Sequence, residues 1–286
     1  QTYIALFVLF GAFLTVVGAS GALTDIGLAI SGRTVGGPAK VAVASSALTG
    51  MISGTASANV ATTGTITIPL MKRAGFAPHV AGAVEAIAST GGLIMPPVMG
   101  AAAFLLADFV GMPYYLVVLS AIIPAMLYYG GLILVVHVSA LRNKIGGVDE
   151  KDMVSLKSVL LQRGYLLLPM VVLLYMLLDG KTPIFWAMTA IVSMILVSFI
   201  RRATWLTPSR FLEALVAGAV ATVPVAIACL VSGLIVVVVT MTGAAQVFTS
   251  YIEMLSGGYL IVALMLTAVA AILLSCALPA TAIYIV

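Results

Sequence analysis

Stretches without Asp, Glu, Lys or Arg cover 1–24, 41–71, 86–107, 109–141, 164–178, 182–200, 214–252 and 254–286. A helix needs about 20 apolar residues to cross the hydrocarbon core of a bilayer. Most of these runs therefore predict one crossing each, with 2–24 the first, but 41–71 and 214–252 have the wrong length for a simple assignment. The centre of the first misfit, Ser53-Gly-Thr-Ala-Ser-Ala-Asn-Val-Ala-Thr-Thr-Gly-Thr65, holds nine Gly, Ser, Thr or Asn among thirteen residues. A straight lipid-facing helix would not carry its most polar stretch at mid-depth. Two short arms, 38–53 and 59–71, meeting at a polar tip fit better, as a re-entrant hairpin buried in protein or lining a wet cavity. The alternative is one long tilted helix with a packing face of small residues. Pro38 suits a first helical turn and Gly75 a stop after Lys72-Arg73.

The next span, 77–107, is interrupted by Gly91-Gly-Leu-Ile-Met-Pro-Pro-Val-Met-Gly100. Adjacent prolines remove two backbone donors and push the preceding residue out of the helix, so freed carbonyls are expected at the break. A further crossing follows at 113–138. Within the second misfit region, Thr207 reads as an N-cap with Pro208 at the first helical position. This predicts a surface helix over 208–221 and one crossing from 222 to 245. Sliding the chain by 222 positions aligns 11–64 with 233–286 without a gap and pairs nine identical residues, among them Gly11/Gly233, Gly21/Gly243, Gly36/Gly258 and Ser53/Ser275. A single crossing at 222–245 makes these repeats inverted, an architecture of secondary transporters.

Composition agrees with the pattern. The chain is 63% hydrophobic and 8% charged, with a mean hydropathy of +1.24. That is too little charge to solvate a globular surface, which excludes a cytosolic enzyme, a disordered chain and a disulfide scaffold. It reads as an integral membrane protein and as an excerpt of a longer one. Cys229 and Cys276 lie in apolar runs and read as packing residues. Following the spans, twelve of the thirteen basic residues fall on one side and only Lys181 on the other. The positive-inside rule makes the basic side cytoplasmic, so nucleic acid is not the expected partner.

At the hairpin and the broken helix the chain resembles a known family. Gly36-Gly-Pro-Ala-Lys40, the Ser53–Asn59 tip, Thr65-Ile-Thr-Ile-Pro-Leu-Met-Lys-Arg73 and the stretch from Gly82 through Met95-Pro-Pro-Val-Met-Gly100 to Phe104 resemble the large membrane subunit of TRAP (tripartite ATP-independent periplasmic) transporters. They look most like the fused-permease, TAXI-type branch. The resemblance implies an all-α polytopic fold of the ion-transporter superfamily, elevator type, with inverted repeats, two re-entrant hairpins and discontinuous helices. The first repeat unit would cover 1–140 (with the hairpin at 38–71), a cytoplasmic loop and linking spans 141–207, and a second unit, truncated within its hairpin, 208–286. It implies sodium-driven, or in some members proton-driven, uptake of a small organic acid delivered by a periplasmic solute-binding protein. A small membrane subunit, separate or fused, would assist, in the inner membrane of a bacterium or archaeon. Leu93 stands where the family often has Gln, and the family's second Pro-Pro segment is expected beyond Val286.

Sodium takes hard, neutral oxygen ligands. Ser53, Thr55 and Asn59 at the tip, with the carbonyls of Gly91 and Gly92, are the expected ion ligands. Ser57, Asn59, Thr62, Pro97 and Thr281 are the expected solute contacts. The coupling sodium is cargo, and no organic cofactor is expected. Any single Ser or Thr can instead bond back to its own helix. Glu85, the one acid well inside a span, reads either as an intramembrane relay or, slightly favoured, as a partner of Lys72 or Arg73. Asp25, Asp108, Asp179 and Glu253 fall near span ends and read as solvated. His79 and His137 have no partner at metal spacing. A membrane-embedded enzyme with Ser53 as nucleophile needs a base within hydrogen-bond reach, and both histidines sit near helix ends, far from the tip. A passive channel is the other competing class.

Overall fold

The computed structural model describes residues 2–148, 153–178 and 182–275, which among themselves form helices and connecting turns without a strand. Helix α1 (Thr2–Val17) ends at Gly18, whose φ of +91° lies in the left-handed region. There α2 (Ala19–Ser31) turns away by 73°. The expected crossing over 2–24 is thus a bent pair, because one glycine without a Cβ tolerates the conformation that breaks the helix.

Next come α3 (Gly37–Ser53), opened by Pro38 as expected, and α4 (Ala56–Arg73). They form a helical hairpin joined only by Gly54, at φ +64°, and extended Thr55. The second arm begins three residues before the expected 59, so Ser57 and Asn59 are already helical. After α5 (Pro78–Gly91) comes a non-helical passage to Gly100, then α6 (Ala101–Val110). Helix α7 (Tyr114–Arg142) is followed by α8 (Leu156–Arg163), a 3-10 turn over Gly164–Leu167, α9 (Leu168–Leu178) and α10 (Pro183–Ser198). Helix α11 (Pro208–Thr242) is a single 35-residue helix, so the expected division between a surface helix and a crossing near 221 is absent. The sequence there holds no Gly-Pro pair to break it, and Pro224 is accommodated within the helix. Helices α12 (Ala244–Ser256) and α13 (Leu260–Ser275) close the described chain, so the expected second tip with Thr281 lies outside the described residues.

Two apolar cores hold these elements. One is aromatic and large: Phe7, Phe10 and Phe13 of α1 pack with Phe104, Tyr114 and Trp186. The other, inside the hairpin unit, is rich in alanine, including Ala39, Ala42, Ala81 and Ala88, with Val136 and Ala140 of α7. Small side chains let α3, α4 and α5 approach closely, as in membrane helix packing. The outer face of α7 shows Ile123, Met126 and Leu127 at about 70% exposure, a surface suited to lipid rather than water. Among the described residues α7 and the continuous 156–176 segment are long and apolar enough to cross a membrane, and the α1–α2 pair makes a third if counted as one span.

Basic loops meet at one end of the molecule. The Gly36 amide donates to the Ile145 carbonyl at 3.1 Å, and the Val148 amide to Gly32 at 2.8 Å, binding the loop after α2 to the loop after α7. Arg201 Nη2 reaches the Leu161 carbonyl at 3.2 Å, and Arg163 pairs with Asp25 at 2.7 Å. Asp25, expected to be solvated, therefore ties α2 to α8, although such a partly exposed pair contributes at most about 1 kcal/mol. Asp179 and the second cysteine lie outside the described residues.

Candidate functional site

The site grows from the hairpin tip and the break after α5, which touch. A Cβ added to Gly50 would lie 2.7 Å from the Gly92 Cα and 2.8 Å from Asn59 Nδ2. One added to Gly92 would lie 2.6 Å from the Gly50 Cα. Backbone therefore packs on backbone, which only glycine on both sides permits. Past Gly92 the chain crosses the tip: the Met99 carbonyl comes within 3.1 Å of where a Gly54 Cβ would stand. Met99 itself holds φ +61°, an uncommon conformation for a side chain of its size. Tyr114 anchors this passage by donating its hydroxyl to the Val98 carbonyl at 2.5 Å while stacking on Phe104 at 4.2 Å.

The break leaves fewer bare carbonyls than expected. Gly91 O accepts from the Ile94 amide at 3.1 Å and Gly92 O from Met95 at 3.3 Å, since the backbone tightens into i to i+3 turns. Leu93 O accepts from Gly100 at 2.8 Å. Each glycine carbonyl keeps one lone pair for a ligand.

Asn59 is fully buried. Its Nδ2 donates to the Ser46 carbonyl at 2.8 Å, and its Oδ1 has no partner. Buried polar atoms are nearly always satisfied, so an orphan oxygen at such a place is an acceptor suited to a donor or a cation. Thr49 Oγ1, on α3 one turn before the tip, is a second buried oxygen without a partner. Thr49 also lines a cavity of about 210 Å³ beside the tip, together with Gly11, Thr15 and Ser20 of the bent pair and Thr55 and Thr62 of the hairpin. The α11 residues Ala217 and Ala221 close its far wall.

The sequence-derived residues divide accordingly. Thr55 and Thr62 line the cavity, whereas Asn59 is enclosed between the hairpin arms. Ser57 is exposed, and Pro97 is buried in the passage between α5 and α6. Ser53 ends α3 and so stands beside the turn. Gly91 fits against Tyr128 and Tyr129, whose ring atoms would lie within 2.8 Å of a Cβ there. Thr15, Ser20 and Thr49 escaped the sequence reading because lone hydroxyls in apolar helices ordinarily bond back to their own carbonyls, as Thr15 does to Gly11 at 2.9 Å. Their one signal was that Thr15 and Ser20 flank Gly18.

Glu85 corrects the favoured reading. It is fully buried and pairs with neither Lys72 nor Arg73, both of which are exposed; hydroxyl groups surround it instead. His137 Nδ1 lies 3.2 Å from Lys40 Nζ, in the first turn of α3. Ser53 is thirteen residues further along that helix, about 20 Å away.

The decisive comparison covers the whole chain: residues 1–286 match the family model described as "Tripartite ATP-independent periplasmic transporter, DctM component". The chain belongs to the DctM family. DctM proteins are the integral membrane permease component of these transporters. They work with a periplasmic solute-binding protein and a small membrane subunit. No curated protein matches the chain.

Proposed function

We propose that this DctM chain imports a small organic acid, delivered by a TAXI-type periplasmic receptor, at the expense of a sodium gradient across the inner membrane. The observation that carries the reading is the orphan Oδ1 of Asn59, buried where the hairpin meets Gly92. A neutral amide oxygen with spare carbonyl lone pairs nearby suits a sodium ion, which then supplies the positive charge that attracts a carboxylate. The cavity beside the tip, between the hairpin and the α1–α2–α11 group, carries several hydroxyls on a mainly apolar lining and is the proposed place for the solute.

A repeated architecture with two re-entrant hairpins, working as an elevator, belongs to the same proposal. Supporting it, the order helix, left-handed glycine, helix, left-handed glycine, helix occurs twice: Gly18 and Gly36 separate α1, α2 and α3, while Gly243 and Gly258 separate α11, α12 and α13.

Thermal unfolding of the full-length protein across a sodium titration tests the ion site. A ligand that binds the folded state raises stability with its concentration. The wild type should show a sodium-dependent shift over matched potassium, and Asn59→Ala should lose most of it. An unchanged shift in a folded Asn59→Ala protein removes the tip from the ion site.

A further inference from the structure

Between α10 and α11 the chain runs through a short linker, residues 199–207, and three arginines, Arg201, Arg202 and Arg210, stand in or just after it. The linker is firmly built. Thr204 is buried at its centre, with Oγ1 3.0 Å from the carbonyls of both Ser198 and Arg201. The Tyr165 hydroxyl meets the same oxygen at 3.0 Å. Trp205 donates its indole N–H to the Phe199 carbonyl at 3.0 Å.

Each guanidinium is held in place, and none by a carboxylate. Arg201 Nη2 donates to the Leu161 carbonyl at 3.2 Å, with Cζ 5.6 Å from the centre of the Tyr165 ring. Arg202 lies over the Trp205 ring at 5.8 Å. Arg210, half-buried, donates from Nη1 to the Ala203 carbonyl at 3.0 Å. Among the described residues the ion pair is that of Arg163 with Asp25; Glu213, the nearest acid in sequence, is exposed and joins none of the three. A guanidinium carries five N–H donors, so each arginine keeps at least four. Arginines that only set topology need to lie near a span, but they need not be fixed.

The start of α11 adds to the positive charge. Its first turn holds Pro208, Ser209 and Arg210 and no acid. A helix N-terminus carries partial positive charge and favours an anion, so a cation there is out of place unless an anion joins it. Thr207 Oγ1 lies 3.5 Å from the Arg210 amide, a weak cap at best.

Apolar side chains lie on the surface of the same segment: Phe199, Ile200, Trp205 and Leu212 are 42–61% exposed. A free phosphate ion gains nothing from them. A phospholipid does, because its phosphate and its acyl chains are joined. Arginine forks match phosphate oxygens, and aromatic rings settle at headgroup level. Basic segments beside membrane spans attract anionic lipids.

We propose that the segment joining α10 to α11 binds the headgroup of an anionic phospholipid. Arg202, Arg210 and the first turn of α11 take the phosphate, and Phe199, Ile200 and Trp205 lie against the glycerol and chains. Arg201 supplies further charge from the α8 side. The proposal involves neither the sodium site nor the solute cavity and stands or falls apart from them.

Thermal unfolding of the full-length protein in detergent tests it, with phosphatidylglycerol, phosphatidylcholine of the same chains, or inorganic phosphate added. By binding the folded state, phosphatidylglycerol should raise the midpoint well above either of the others. Arg202→Gln/Arg210→Gln should lose most of that rise. Arg142→Gln/Lys144→Gln, a charge-matched change of two exposed residues after α7, should keep it. Equal rises with the two lipids, a match between inorganic phosphate and phosphatidylglycerol, or equal losses in the two double variants overturns the proposal. So does an undiminished rise in Arg202→Gln/Arg210→Gln. If that variant does not fold, wild type photo-crosslinked to phosphatidylglycerol bearing a diazirine near its headgroup should give adducts within residues 199–212. Adducts only elsewhere overturn the site.

Discussion

The contact between Gly50 and Gly92 shows how much a single hydrogen atom in place of a methyl group decides here. Each glycine's missing Cβ is occupied by the other's backbone, and backbone cannot swing aside as a side chain can. Gly92→Ala should therefore destabilise the full-length protein by about 1–3 kcal/mol, the usual cost of overpacking. It should also weaken the sodium-dependent thermal shift, because parting the hairpin from α5 disturbs Asn59. Thermal unfolding with and without sodium checks both. A variant as stable as wild type would mean that the two backbones part without cost.

Among elements, the passage between α5 and α6 depends on a residue outside it. Tyr114 of α7 donates to Val98 O, and Pro97 O lies a further 3.3 Å from the same hydroxyl. Tyr114→Phe keeps the ring on Phe104 and leaves a buried carbonyl short of its donor, at a cost of about 1–2 kcal/mol. Denaturation of the two proteins side by side measures it; equal midpoints would show the hydroxyl to be dispensable. The passage was legible in the sequence because Gly-Gly and Pro-Pro each remove something a helix requires. The hairpin was legible because nine Gly, Ser, Thr or Asn among thirteen residues contradict a lipid-facing helix. The bend at Gly18 was not, since a lone glycine inside an apolar run is common in membrane helices and only its φ betrays it. The unity of α11 was missed for the opposite reason: the polar start at Trp205–Glu213 marks where a helix begins, but carries no signal of whether it stops. The ring of hydroxyls around Glu85 was half visible. Thr63 and Thr67, like Glu85 and Ser89, are four apart and share a helix face. That the two faces meet, with Ser46 between them, depended on the hairpin folding back.

At the scale of the molecule, loops carrying basic residues from distant parts of the chain are tied together by the Gly36–Ile145 and Arg201–Leu161 hydrogen bonds. The topology proposed from the positive-inside rule puts this end in the cytoplasm. Single cysteines replacing exposed Thr34, Asn143 and Ala203 should label with a membrane-impermeant thiol reagent only from the cytoplasmic side, and Thr182→Cys only from outside. Labelling of position 203 from outside would reverse the side given to the loop before α11 and overturn the proposed inverted repeat.

The Gly50–Gly92 contact also has a mechanical meaning. Interfaces that rearrange do so by exchanging rotamers or sliding ridges between grooves, and this one has neither, being two bare stretches of main chain. A slip of one residue would drive Thr49 or Met51 into the gap. Hairpin and broken helix are therefore stiff at this joint, and a transport stroke that leaves it whole must find its sliding seam elsewhere. The cavity-lined boundary with α1, α2 and α11 is the surface where the molecule has room to give.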